Sequence, residues 1–533
     1  MDERRSIIDR DIARLEESIR ALKSRRNELS PISCLPPEIL CKIFSLIEDD
    51  IFFSSRSPEF WTHFSRVSQH WRSTALSAPE LWTEIPLSLP YRWVQERLKR
   101  SKMAKLTIRA GSSSSFNLNP KAIETVRLCL FNMNRIKELR LAIPGLKLEE
   151  ISGDLPRSAP QLCTLCIGSH LLRFTFSIPK DFLYDTERLK RVELIDCRMG
   201  WDSRLLTGLT RLHLDSLKAN SSIIQFLHAL QRMPALTDLQ LIDSIPGADD
   251  SEGPSTYPVV DLPCLRELCI SSDVGALTTA LRHITIPHNT ILVLTCKEKQ
   301  STQIDFSNFL SVLATKFMSF SVIRSLSLQV LNNFFTENYG LGFYLWTTAN
   351  IQDTFPSPLI SQPQLQLLLT WPSPQSTPQD HVNVLTCAFD AMGLPLLTQL
   401  QISTLDYIDS LTWVKTFGKL PLLRRVCVEG DSTQSFLEAL VYKTQAGEKS
   451  ETTYGNVSFP KLLHVDLGGT NFNTEYQESI SVDNLLVCLV ERRERKAEVR
   501  VLRLNGCYDI SSDDVEKLKE VVDVIWDGKS HEY

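Results

Sequence analysis

Glycine is scarce in this sequence, at 20 of 533 residues, about half the usual ~7%. Little material is left for the glycine-rich loops that cradle phosphates, and there is no Walker loop, GxSxG elbow or GxGxxG after a strand. A nucleotide-dependent enzyme thereby loses its usual scaffold. A dominant charge is missing too: 58 Lys and Arg stand against 63 Asp and Glu, a formal net charge of −5, too small for a dedicated nucleic-acid binder. No apolar run reaches the roughly 18 residues of a membrane span, and the opening MDERRSII is charged where a secretory signal is apolar. Neither export nor membrane insertion is expected. The 13 cysteines are odd in number and lack the dense, even spacing of a secreted disulfide scaffold. An intracellular, reducing location is expected, in cytoplasm or nucleus, with no basic cluster to choose between them.

What is present can build a core. Hydrophobic residues make up 43% and charged residues 23%, which is the balance of a folded chain and not of a disordered one. Three regions differ in pattern. Residues 1–30 hold 15 charged side chains, yet Ile8, Ile12, Leu15, Ile19, Leu22 and Leu29 follow one another at steps of 4, 3, 4, 3 and 7, one seam of a helix. Ser30 and Pro31 end it. Two readings stand: a coiled coil with a partner or a second copy, so that the chain self-associates through residues 1–30, or a single amphipathic helix lying on its own protein or in solvent.

Residues 31–90 crowd large apolar groups into two helical patterns. Pro36 and Pro37 suit a helix's first turn, where no amide donor is required, and Ile39, Leu40, Ile43, Phe44 and Ile47 follow on one face. Phe60, Phe64, Val67 and Trp71 make a second pattern, and Ala78-Pro79-Glu80-Leu81-Trp82 a closing turn. So small a unit carries more large apolar groups than it can cover by itself.

At these residues the chain resembles the F-box family. The stretch ISCLPPEILCKIF (residues 32–44) matches its opening helix, and FSRVSQHWRSTALSAPELW (residues 64–82) its second half, while the long segment Asp49 to Pro58 departs from the pattern. The following RLKRSKMAKLTI is similar to what succeeds the F-box in large fungal families. The resemblance implies an all-α unit that docks on a Skp-family adaptor, and through it on a cullin scaffold. The apolar candidates for that contact are Leu35, Pro36, Ile39, Leu40, Ile43, Phe44, Val67, Trp71 and Trp82, some of which must instead form the unit's own core. Glu38 either caps the first helix or pairs at the rim.

The third region runs over residues 91–533, and from about residue 100 to its end a phrase recurs: an apolar residue, two variable ones, then apolar, variable, apolar. It starts at Ile136, Leu162, Leu189, Leu209, Leu236, Leu265, Ile323, Leu397, Leu423, Leu462 and Val499, with weaker copies near Met103, Asn289 and Leu365. In six strong copies, and in the one at Leu365, proline stands two residues before the first apolar position. Alternation sends the fourth and sixth residues of each phrase inward, and one repeat alone cannot cover that face, so neighbours must stack. The pattern resembles the leucine-rich repeat, and VRVLRLNGCYDISSDDV (residues 499–515) its cysteine-containing type, with Cys507 and Ile510 in register. The expected fold is α/β: an N-terminal helix and an all-α F-box, then a horseshoe-shaped solenoid with irregular repeats. Asp243 to Asp261, Asp353 to Asp380 and Lys443 to Asn456 read as loop insertions.

Chemistry is hard to find. Cys163 and Cys166 form a CxxC inside the strand phrase LCTLCI, where residues three apart point to opposite faces; Cys264 and Cys269 fail for the same reason. His63 and His70 read as helix-face residues, Asp249-Asp250 and Asp513-Asp514 as loop or helix-start charge. Metal, cofactor and catalysis are therefore not expected. Binding remains. Positions flanking the inward residues face the concave side: Arg140, Arg191, Glu193, Arg211, His213, Asp238, Arg425, His464, Asp466 and Arg503, with Glu138, Asp215, Gln240 and Glu429 beside them. Mixed charge there suits a protein substrate, or is an ordinary solvated sheet face. The expectation is a noncatalytic substrate-recognition adaptor of a cullin-based ubiquitin ligase. Two rival readings are an F-box scaffold or sensor outside ubiquitination and a hydrolase or transferase built on the long loops.

Overall fold

The structure is a computed structural model, and it describes residues 2–53, 64–110, 120–143, 145–155, 157–168, 175–219, 221–247, 257–299, 304–316, 322–333, 338–348, 362–372, 377–403, 408–442, 457–473 and 480–529. The fold is mixed α/β, and the chain opens on a helix. It divides into two compact units, residues 1–209 with 216–218, and residues 210–215 with 219–533. Residues 353–361, 373–376 and 443–456, together with Phe60, His63 and Asp249-Asp250, fall outside the described residues. The described part of the stretch Asp353 to Asp380 is not a loop: it forms a strand at Leu365–Pro372 and the start of a helix at Pro378–Met392, because its alternate leucines are buried.

The first unit begins with helices α1 (Asp2–Glu28), α2 (Pro37–Phe53), α3 (Phe64–Val67) and α4 (Gln69–Ser77). The sequence pattern predicts a single helix through Val67 and Trp71, but the chain breaks it at Ser68. That residue is extended, and its Oγ accepts the Trp71 amide at 3.1 Å, so it caps α4. Strand β1 (Glu84–Pro86) then pairs in parallel with β2 (Leu106–Ala110), after α5 (Tyr91–Arg100). Beyond α6 (Pro120–Leu130) the ladder continues with β3 (Ile136–Leu141), then after α7 (Gly145–Glu150) with β4 (Thr164–Gly168) and β6 (Arg191–Ile195), each parallel to the strand before it. Two short strands, β5 (Phe176–Ser177) and β7 (Cys197–Arg198), pair separately.

The second unit repeats this construction. Strands β8 (Arg211–Asp215), β9 (Asp238–Ile242), β11 (Glu267–Asp273) and β13 (Ile291–Lys297) form a parallel ladder, with α8 (Ile223–Gln231) and α9 (Val274–His283) between them and a small pair, β10 (Val260–Asp261) with β12 (Ile284–Thr285), apart from it. After α10 (Ser307–Lys316) the order changes. Strand β14 (Ser325–Asn333) does not pair with β13. It turns back antiparallel into β15 (Asn338–Trp346), β15 pairs antiparallel with β16 (Leu365–Pro372), and β16 lies against β13. The spatial order is therefore β13, β16, β15, β14, then β17 (Gln399–Ser403), β18 (Arg425–Glu429), β19 (His464–Gly468), β20 (Val501–Asn505) and β21 (Asp523–Trp526), all parallel from β14 onward. Helices α11 (Pro378–Met392), α12 (Ser410–Thr416), α13 (Thr433–Val441), α14 (Val482–Glu494) and α15 (Ser512–Lys519) alternate with these strands. The antiparallel insertion accounts for the wide, untidy spacing between the phrases at Ile323 and Leu365.

Every phrase, strong or weak, lies at a strand, and the proline frame has a mechanism. The amides of Leu162, Leu236, Leu265, Leu397 and Leu462 bond the carbonyls of Ala159, Met233, Leu262, Leu394 and Phe459, closing a four-residue turn with proline in its second place. The ring fixes φ where that turn needs it, which sets the register of each strand. The exits also recur: Asp196, Ser216, Asp243, Gly469 and Gly506, each just past a strand, have φ between 45° and 59°. Alternate side chains of the strands are buried, among them Leu239, Leu241, Leu400, Ile402, Val465, Leu467, Leu502 and Leu504. Buried with them are Phe226, Phe309, Trp413 and Phe436 of the helices, and rings stack onward from Trp413 to Phe436 (4.9 Å between centres) and from Phe436 to Phe459 (5.8 Å).

Each unit also holds a buried arginine that serves backbone carbonyls. Arg135 donates to Leu98 O, Ser101 Oγ and Ala104 O, joining the start of β3 to the end of α5. Arg492 of α14 donates to Leu440 O, Ser458 O and Phe459 O at 2.9–3.0 Å. Burial lowers the pKa of the Arg492 guanidinium to about 10.

Candidate interaction surfaces

The helical segment sorts its apolar residues by depth. Leu40 and Phe44 of α2 are buried with Cys41, Ala75, Ala78, Leu81 and Trp82, and Leu35, Ile47 and Trp71 pack at the margin. Trp82 is fixed from two sides: its Nε1 donates to Ala75 O at 2.8 Å, and the Arg100 guanidinium lies 4.5 Å from its ring centre. Phe44 and Trp71 meet ring to ring at 5.2 Å. Ile43 is half-buried, while Pro36 and Glu38 are exposed. Ile39 is 48% exposed and Val67 53%. Of the adaptor-facing candidates, Leu40, Phe44 and Trp82 are therefore core, and Pro36, Glu38, Ile39 and Val67 are surface. Sequence periodicity could not make this division, because i and i+1 on one helix face read alike until a neighbour covers one of them.

The outward sheet face of the first unit is a chain of ion pairs. Arg109 lies 3.6 Å from Glu84 and 3.5 Å from Glu138, and Arg140 bonds Glu138 at 2.6 Å. Arg191 reaches Glu193 at 3.3 Å, whose carboxylate also accepts the Cys166 thiol at 3.3 Å. Burial works against ionising Glu138, but Arg140 and Arg109 overcome it and hold its carboxyl below the usual carboxylate range. Arg140, Arg191 and Glu193 are thus brought together, with their charges largely answered by neighbours.

In the second unit the seven remaining candidates fall into two groups. Arg211 pairs with Asp238 at 3.3 Å beside His213 on β8 and β9. On β18 to β20, Arg425 holds the buried Asp466 through both Nε (2.7 Å) and Nη2 (2.5 Å), flanked by His464 and Arg503. Between the groups lie seven strand spacings, roughly 34 Å along the sheet at about 4.8 Å each. The sequence reading missed what fills the middle. Val293, Leu368, Tyr344 and Leu331 occupy outward positions there, half-buried and uncharged. Gly342 leaves them room: a Cβ on it would stand 3.1 Å from the Tyr344 ring and 3.3 Å from Leu368. The alternation Tyr339, Leu341, Phe343, Leu345 was the available signal for β15.

The thiols are placed for structure. Cys163 lies before β4, with its Sγ 3.5 Å from Gln161 O, and Cys166 turns to Glu193, so the CxxC does not converge. Cys197 and Cys507 each reach the carbonyl of an earlier strand, Ile167 O at 3.8 Å and Leu467 O at 3.6 Å. Burial raises their pKa values to about 12 and about 11, opposite to what a nucleophile requires. Among the described residues no group of His, Cys, Asp and Glu could hold a metal ion, and no helix is long and apolar enough to cross a membrane. A groove of about 680 Å³ runs between α10, α11 and α12. Its Cys387 is again raised by burial, and no histidine lines it.

No known family model matches this chain, and no curated protein matches it in sequence.

Proposed function

We propose that the chain is a noncatalytic adaptor: the α2–α4 segment docks as an F-box on a Skp-family protein of a cullin-based ubiquitin ligase, and the strand ladder, a leucine-rich-repeat-like solenoid, holds a protein substrate. Its mechanism is proximity, since tethering a target raises its effective concentration at the transfer site. The supporting observation is the pairing of a closed core, Leu40, Phe44 and Trp82, with apolar residues left outside it, Ile39 and Val67. Aliphatic side chains left exposed beside a packed core gain free energy when a partner removes them from water. The recurring turns, one strand per phrase and parallel register support the solenoid reading. On its outward face an uncharged centre between two charged groups suits a protein partner better than a polyanion.

The test is copurification of the full chain with the Skp-family adaptor of its own organism, comparing wild type with an Ile39→Asp, Val67→Asp double variant. Both positions are on the surface, so the variant should keep the wild-type circular dichroism spectrum. A 1:1 complex with wild type, lost in the folded variant, is the expected result. Failure of folded wild type to bind overturns the reading.

A further inference from the structure

The seam of α1 is bare. Ile8, Ile12, Leu15, Ile19 and Leu22 are 48–66% exposed, and the helix meets the rest of the unit near its C-terminal end, through the turn at Pro31–Cys34 and a Ser24–Gln69 contact of 3.5 Å. A helix of 27 residues is about 40 Å long, and an apolar stripe along most of it loses free energy in water unless something covers it.

The heptad frame states what fits. Ile12 and Ile19 take a positions and Ile8, Leu15, Leu22 and Leu29 take d positions, with Arg5 and Arg26 completing the a row. So narrow an a/d stripe fits one partner helix of the same period. Charge then selects the direction. In a parallel pair, Arg5 and Arg26 would each face their own copy, and Asp11 would face Glu16 of the other chain twice, against two favourable Arg4–Asp9 contacts. Reversing the second helix about Glu17 gives four apolar layers, each Ile12 on Leu22 and each Leu15 on Ile19. It also brings Asp9 to Lys23 twice and Asp11 to Arg25 twice, leaving one Glu16–Glu16 contact. The arginine stems at the a positions cover Ile8 and Leu29 at the ends. Asp11 is free to exchange partners, since its present ion pair with Arg14 is long, 3.7 Å, and exposed.

We propose that α1 binds a second copy of itself as an antiparallel, two-stranded coiled coil. The arrangement has a two-fold axis near Glu17 and therefore closes at a dimer without leaving an open end. It is independent of the adaptor reading, because no α1 seam residue belongs to the candidate docking surface.

The test uses the full chain by sedimentation velocity from about 1 to 200 µM, the range set by the few layers of so short a coil. Wild type should dimerise. Asp9→Lys, Asp11→Lys and, separately, Lys23→Glu, Arg25→Glu should each raise the dimer dissociation constant at least about tenfold. Mixing the two variants should restore association as a heterodimer, because all four contacts between positions 9 and 23 and between 11 and 25 are then attractive, with the Glu16–Glu16 contact unchanged. In a parallel coil the Asp9 and Asp11 changes offset each other, against Arg4 and Glu16, and the Lys23 and Arg25 changes meet no charged partner, so dimers that survive both would overturn the antiparallel assignment. Wild type that stays monomeric up to the highest concentration would overturn the dimer itself.

Discussion

The helix α1 and the strand ladder are built from the same residues, isoleucine and leucine at regular intervals, and meet opposite fates. In the ladder Leu467 and Leu502 are fully buried, because each strand finds a neighbour with the same period one step along the sheet. On α1 the equivalent investment in apolar surface stays in water. Periodicity prepares a face for burial; burial itself comes from a second element with a matching period. In the ladder the chain supplies that element to itself many times over, and at α1 a second chain would supply it.

The comparison breaks most sharply at the ladder. Leu467→Ala should cost about 2–5 kcal/mol, since β18 and β20 hold the strand on both sides and leave the cavity little chance to collapse. Urea unfolding with an unchanged m-value is the readout. Next in size is Arg492→Met, expected to lose roughly 3 kcal/mol as three buried carbonyls lose a charged donor; thermal denaturation measures it. Acid should act on the second unit through two histidines. Burial, with Arg282 and Lys316 nearby, holds His283 below its ordinary value of 6.5. Burial does the same to His381, against Thr377 and Asp380. The stability that goes with their neutral forms is complete above about pH 6.5 and is lost as pH falls through the depressed folded values. Hydrogen exchange at pH 7.5 and 5.0 should show β15 and β16 losing protection, because the His381 ring packs on Tyr339 and Trp371. His381→Phe should reduce the difference. The smallest effect is Leu15→Ala, at most about 0.5 kcal/mol on the unfolding of the single chain, while dimer formation weakens. A large stability loss there would mean that α1 is covered within its own chain.

Much of the fold was legible. Every phrase with an apolar fourth and sixth residue lies at a strand, because alternation is the only periodicity that puts both on one face, and the preceding proline marked a turn whose geometry it stabilises. The helix over residues 2–28 and its end near Ser30 were equally plain. The antiparallel strand Asn338–Trp346 was passed over although Tyr339, Leu341, Phe343 and Leu345 alternate, since Gly340 and Gly342 between them are residues that strands disfavour. A Cβ on Gly340 would lie 2.4 Å from Leu369 O, so the residue that obscures the strand signal is also what lets β16 approach. The break at Ser68 was missed because the apolar spacing runs across it undisturbed, and only the hydroxyl reveals the cap. For the candidate surfaces, residue types were readable but grouping was not. Arg425 and Asp466, 41 positions apart in sequence, form one of the tightest ion pairs in the molecule.

The sequence by itself determined the two periods, 3.5 at the start and 2 in each phrase, and so which side chains share a face; that follows from backbone geometry alone. Only the tertiary structure decided that Leu40 is core and its neighbour Ile39 is surface. It also decided that β13 pairs with β16 instead of β14, and that the charged candidates stand in separate groups with an uncharged centre between two of them. These outcomes depend on which elements meet. A face is buried only when another surface of matching shape arrives to displace its water.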